Sequence, residues 1–186
     1  MRFFIALEIP SENIPQFQSI QDKLHTLIPQ ARITDLDKIH LTLAFIGEQP
    51  DNLKEKLIEI IRNSVLDISP FEVTPAYLDG FPNIHHANVL WVGVKGDIDK
   101  VLLIREYIKD GLSALHLPVD ERRFIPHITV AKLNEQIFID RKLEMELEKI
   151  MTMSFDHINI NSIKLFESVA NEGFHSHNTL AEINLV

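Results

Sequence analysis

The 186-residue chain repeats its own order of elements at one fixed offset. The tetrapeptides His40-Leu41-Thr42-Leu43 and His127-Ile128-Thr129-Val130 lie 87 positions apart. The same shift carries the apolar run Phe3–Leu7 onto Leu90–Val94 and the helical spacing of Ser11–Ile28 onto Ile98–Leu115. It also carries Asp51–Ser64 onto Phe138–Met151. Register is kept with no net insertion. The expectation is therefore one domain over 1–186, an internal repeat of approximately 1–87 and 88–174 followed by a C-terminal strand. Two copies are too few for a solenoid, which needs at least three stacked units. They predict two α+β lobes related by a pseudo-twofold axis.

Periodicity assigns the elements. Phe3–Ile9 and His40–Ile46 read as strands. Ser11 is placed as the N-cap of a helix carrying Ile14, Phe17, Ile20, Gln21, Leu24, Leu27 and Ile28. Asp51 is placed as the cap of a second helix. Phe71–Leu78 is extended, and Pro75 requires it to bend or lie at an edge. Leu78–Asn88 reads as a loop. Val89–Val94 is a strand, Ile98–Leu115 a helix, His127–Ala131 a strand and Asp140–Ile150 a charged amphipathic helix. Phe155–Ile160, Ile163–Glu167 and Thr179–Leu185 complete the strands.

Composition narrows the function. Hydrophobic residues make up 45% of the chain, enough for a packed core. There is no run of 18 apolar residues, so no membrane span or membrane partner is expected. The apolar start is broken by Glu8 and reads as a strand rather than a signal peptide. There is no cysteine, which excludes disulfides, thiolate metal sites and a cysteine nucleophile and fits a cytoplasmic protein. The net charge of −9 lacks the basic surplus of proteins that grip long nucleic acids. A nucleic-acid substrate would be met at an end or as a small fragment.

The repeated tetrapeptide has a chemical reading. Side chains on a strand alternate faces, so His40 and Thr42 share one face while Leu41 and Leu43 point into the core. His127 and Thr129 do the same. If the lobes face each other, two imidazoles and two hydroxyls converge. That set suits metal-free hydrolysis of a phosphodiester. One imidazole deprotonates water, the other protonates the leaving oxygen, and the threonines donate to the non-bridging oxygens. Nine histidines and seven threonines would give about 0.3 H-x-T matches by chance, so one match says little. The third match, His177-Asn178-Thr179, lies off the repeat register and has a polar middle residue, so it is read as incidental. The plain alternative for the other two is a pair of strand histidines satisfied by hydrogen bonds.

The segments His40-Leu41-Thr42-Leu43-Ala44-Phe45-Ile46-Gly47 and Phe124-Ile125-Pro126-His127-Ile128-Thr129-Val130-Ala131-Lys132 resemble the two signature motifs of the 2H phosphoesterase superfamily. Within it the chain is most similar to the bacterial and archaeal RNA 2′,3′-cyclic phosphodiesterases, also called 2′-5′ RNA ligases. The likeness extends to Leu90-Trp91-Val92-Gly93 and Leu165-Phe166-Glu167-Ser168. It implies two lobes of antiparallel sheet flanked by helices, with the active-site cleft between them. It implies His40 as proton donor and His127 as proton acceptor, with Thr42 and Thr129 holding the phosphate. The reaction implied is metal-independent opening of a 2′,3′-cyclic phosphate, at an RNA end or on a nucleotide, to a 2′-phosphate, without a cofactor. Two positions depart from the family pattern. Lys132 stands where arginine is common, keeping the charge but losing the bidentate fork. Gly173-Phe174-His175-Ser176-His177 replaces a stretch that usually holds Gly-Pro and tyrosine. Arg123 matches an arginine that often precedes the second motif, and either binds phosphate or forms a surface ion pair.

Other readings stay open at this point. His85-His86 and His175-x-His177 offer metal-ligand types, but no third ligand stands at a telling spacing, and exposed loop histidines explain them. A binding module for cyclic-phosphate or nucleotide ends is one alternative, and a metal-dependent hydrolase another. Within the enzyme class, a small cyclic nucleotide, a 2′-5′ oligonucleotide or an ADP-ribose cyclic phosphate would also fit. A monomer is expected.

Overall fold

The first strand is apolar on both faces. Phe3, Phe4, Ile5, Ala6 and Leu7 are all buried, so β1 (Arg2–Glu8) needs cover above and below. The computed structural model describes residues 1–134 and 137–186. In it, β1 is a central strand, with a large core cluster on one face and Phe4, Ala6 and Phe166 forming a small cluster on the other.

The elements that follow are α1 (Ile14–Leu27), β2 (Arg32–Ile33), β3 (His40–Glu48), α2 (Lys54–Ser64), β4 (Phe71–Phe81) and β5 (Val89–Gly96). Then come α3 (Ile98–Ala114), β6 (His127–Lys132), α4 (Arg141–Ile150), β7 (Ile158–Ile160), β8 (Ser162–Asn171) and β9 (Phe174–Asn184). The strand order is β7-β4-β5-β6-β3-β1-β8-β9, with β2 on β6, and every pairing is antiparallel.

This path is two lobes joined at a seam. One lobe is β7-β4-β5-β6 and the other β3-β1-β8-β9. They meet where β3 pairs with β6 through a single residue pair, Leu41 opposite Ile128. The lobes interleave in sequence: β4 pairs with β5, and the late strand β8 returns to pair with β1. The helices pack as α1 with α4 and α2 with α3, with α3 against β3 and α1 against β6. Gln21 on α1 is buried and donates to the carbonyls of Val130 at 3.1 Å and Thr34 at 2.7 Å, tying that helix to β6.

Several boundaries differ from the sequence expectation. Ser11 and Asp51 do not cap helices with their side chains. Each opens a short 3-10 turn, and Asp51 faces the Met1 amine at 3.3 Å. Asp140 does cap α4, accepting from the Leu143 amide at 2.8 Å. Leu78 to Phe81 belongs to β4, whose register shifts between Pro75 and Tyr77, so the proline sits at a bulge. The strand expected over Phe155–Ile160 begins only at Ile158. β9 begins at Phe174, five residues before the expected Thr179, because Glu172-Gly173 closes a tight hairpin with Gly173 at φ 79°. That turn moves His175 and His177 from a loop onto a strand. No helix among the described residues is long and apolar enough to cross a membrane.

Candidate active site

The seam builds the site. Leu41 and Ile128 are paired in antiparallel register and fully buried on the helix side. In that register their neighbours fall across the seam on the opposite face, His40 toward Thr129 and Thr42 toward His127. Both histidine–threonine pairs thus lie on adjacent strands of one sheet, closer than two separately facing sheets would require.

Each motif strand carries the same irregularity. Ile5 pairs with Ala44 but Ala6 pairs with Thr42, and Leu90 pairs with Ala131 but Trp91 with Thr129. An extra residue is accommodated at Leu43-Ala44 and again at Val130-Ala131. Both members of each pair are buried, and the next residues, Phe45 and Lys132, are exposed. A bulge re-aims the side chains that follow it.

Each imidazole rests on aromatic rings. The His40 ring lies 5.2 Å from Phe4, and Phe4 stacks on Phe166 at 4.9 Å. The His127 ring lies 5.0 Å from Phe81, edge-on, and 5.5 Å from Trp91. Gly93, opposite His127 on β5, makes room for the Tyr77 ring: a β-carbon there would lie 2.1 Å from it.

Apolar cover weakens proton binding, because burial disfavours the imidazolium. His40 is pushed down to about 4 by burial first and then by the like charge of His177, while the Lys38 backbone carbonyl partly opposes the shift. His127 is also lowered by burial, against the Ile125 carbonyl. That carbonyl is 2.7 Å from His127 Nδ1. A neutral imidazole donating there from Nδ1 presents its Nε2 lone pair to the cleft. Both shifts favour neutral imidazoles near pH 7.

A cavity of about 520 Å³ opens beside this quartet and takes in Thr42 and His127, with Phe45 and Phe81 in its wall. Thr42 and Thr129 are half-buried. Arg123 lines the cavity, whereas Lys132 is exposed on β6 outside the lining. His40 and Thr129 lie outside it, and His40 rests against Phe4.

The motif segments 40–47 and 124–132 and this geometry point the same way as comparison with known proteins. The profile of the 2′-5′ RNA ligase superfamily matches residues 9–161. The chain belongs to this superfamily. A relative named RNA 2′,3′-cyclic phosphodiesterase from Aquifex aeolicus is 31% identical over 136 residues, 70% of this chain and 69% of that protein. One of the same name from Methanothermobacter thermautotrophicus is 22% identical over 173 residues, 90% of each chain. Among solved structures, the protein TT0787 of Thermus thermophilus superposes with a TM-score of 0.81 at 20% identity, covering 100% of this chain and 98% of that one. Escherichia coli LigT in its apo form superposes at 0.76 with 19% identity, over 98% and 96%. At these identities the two structures establish the shared two-lobed superfamily fold.

Two residues near the quartet escaped the sequence reading. His177, dismissed there as an incidental match, lies on β9 with its ring 4.9 Å from Phe4 and 5.4 Å from His40. Its signal was the H-x-T pattern itself. Arg105 lines the cavity from α3. Its signal was a charge at a core position, in helical register with Val101, Ile108 and Leu112. His85 hydrogen-bonds the Ile139 carbonyl at 2.8 Å, and His86 lies by Phe138. Among the described residues no group of three or more metal-ligating side chains is assembled.

Proposed function

We propose that this protein is an RNA 2′,3′-cyclic phosphodiesterase that opens the cyclic phosphate to a 2′-phosphate, with His127 as base and His40 as acid. The observation that carries the reading is the quartet itself, two histidine–threonine pairs side by side across the β3–β6 seam. His127 Nε2 takes a proton from water as the water oxygen bonds to phosphorus. The bond from phosphorus to O3′ breaks in line with that attack, and His40 donates its proton to O3′. Thr42 and Thr129 donate to the non-bridging oxygens. The relatives' name and the superfamily match support the substrate class. Lys132 and Arg123 are assigned to the phosphate's surroundings, Arg123 from the cavity wall and Lys132 from farther out. The chain acts as a monomer in the cytoplasm.

The test is turnover of the four nucleoside 2′,3′-cyclic phosphates and of a short RNA with a cyclic end, in EDTA. Both steps are proton transfers, so activity survives the chelator. Tight binding without turnover would favour an end-binding module. Activity lost in EDTA and restored by zinc or manganese would favour a metal hydrolase.

The desolvated imidazoles fix a pH dependence. The active form has one neutral and one protonated histidine, so kcat/KM follows a bell whose limbs belong to the pair. Both groups are lowered from 6.5 in the free site, so the bell centres on the acid side of 6.5. A bound phosphodiester anion favours the imidazolium, so the kcat profile lies at higher pH than that of kcat/KM. His177→Phe keeps the apolar cover and removes the neighbouring like charge. His40 then rises, and the bell shifts to higher pH. An unmoved bell would separate His177 from the titration of the pair.

A further inference from the structure

Arg105 occupies a place on α3 where the helical spacing calls for an apolar side chain. It is 5% exposed, and among the described residues no carboxylate pairs with it. Its Nη2 donates to the Asp120 carbonyl at 3.3 Å, its guanidinium lies 5.3 Å from the Phe124 ring centre, and Nε and Nη1 have no acceptor among the described residues. A buried cation left short of partners is costly, because removing charge from water is repaid only by pairing or full hydrogen bonding. Arg105 lines the cavity that holds Thr42 and His127, and Arg122 and Arg123 line it too. Among the described residues the one carboxylate in that lining, Asp120, is committed to Arg122 at 2.7 Å. Three guanidiniums and one carboxylate leave this end of the cavity positive, in a chain whose net charge is −9. The arginine fork matches phosphate oxygens.

We propose that this end of the cavity is a second phosphate subsite. It takes the 5′-phosphate of the nucleotide whose cyclic phosphate lies at His127, which in an RNA is the diester to the preceding nucleotide. Arg105 is a fixed charge in the wall, Arg123 on the exposed loop presents its fork to the anion, and Arg122, held by Asp120 through Nε and Nη2, adds charge at the rim. The subsite makes the protein select nucleotide and oligonucleotide ends over bare nucleoside cyclic phosphates. The assignment of the ligand rests on the cyclic-phosphodiesterase reading.

The experiment compares ligands that differ only in the 5′-phosphate. Calorimetry gives Kd for adenosine 2′-monophosphate and adenosine 2′,5′-bisphosphate. Kinetics give kcat/KM for adenosine 2′,3′-cyclic phosphate with and without a 5′-phosphate. Wild type favours the 5′-phosphorylated member by about tenfold or more in both, the scale of one charge-assisted contact. In Arg105→Met the ratio collapses toward one. The ratio is the readout, so a general loss from a displaced loop cancels. If Arg105→Met does not fold, Arg122→Gln on the exposed loop gives the same test and also lowers the ratio. A wild-type ratio near one, or a variant that keeps the wild-type ratio, overturns the subsite. A preference for the bisphosphate with no turnover of either cyclic phosphate keeps the subsite and overturns the activity.

Discussion

Replacing His127 by alanine lowers kcat/KM on a 2′,3′-cyclic phosphate by about 10²–10⁴-fold, and His40→Ala does the same. In the proposed mechanism each change removes one of two proton-transfer partners that act on a single transition state. The double variant therefore loses far less than the product of the single effects. Both imidazoles are half-buried on the cleft face, outside the main core cluster, so the variants keep their fold by circular dichroism. Thr42→Ala and Thr129→Ala lose less, because the partner threonine and a nearby cation remain on the phosphate. Steady-state kinetics on the purified variants decide this, and near wild-type turnover in either histidine variant contradicts the assignment.

Ile128→Ala has the largest expected effect on stability. Ile128 is fully buried at the one residue pair where the lobes' strands meet. Removing three buried carbons costs about 2–5 kcal/mol, read by urea unfolding. Activity falls as well, because that pair sets His40 beside Thr129 and Thr42 beside His127, and misplacement by about 1 Å can cost about 10²-fold. Val101→Ala is the control, truncating a fully buried α3 residue away from the seam. At a temperature where both variants are folded, Ile128→Ala is the less active. Equal activity would show that the seam pair supports the fold without positioning the chemistry.

The helices and motif strands were legible because their signals are local. The apolar face of α3 and the alternation in His40-Leu41-Thr42-Leu43 follow from 3.6- and 2-residue periods. The pairing of β3 with β6 was not legible, because nothing in either strand names its partner. Nor was the return of β8 to β1. The proposed duplication gives that return a form: β4 and β8 fall near one repeat length apart, and each pairs in the lobe opened by the other half. The bulges at Leu43-Ala44 and Val130-Ala131 break strict alternation in a way that two apolar residues in a row only hint at. His177 was missed because Phe174 to Thr179 is mostly polar, as suits β9 at the sheet edge, and carries no apolar alternation. Its neighbours Phe4 and His40 come from the other end of the chain. Arg105 was passed over because a single charge does not erase a helical pattern, and only packing shows that its guanidinium is enclosed.

The product of one turnover tests the central claim most directly. In the pose assigned to the quartet, O3′ of the ring faces His40 and water faces His127. Phosphorus NMR of the product from a short RNA ending in a 2′,3′-cyclic phosphate should show a 2′-phosphate alone. A predominantly 3′-phosphate product would contradict the account, because the ring would then bind in the opposite sense or the two histidines would exchange their roles.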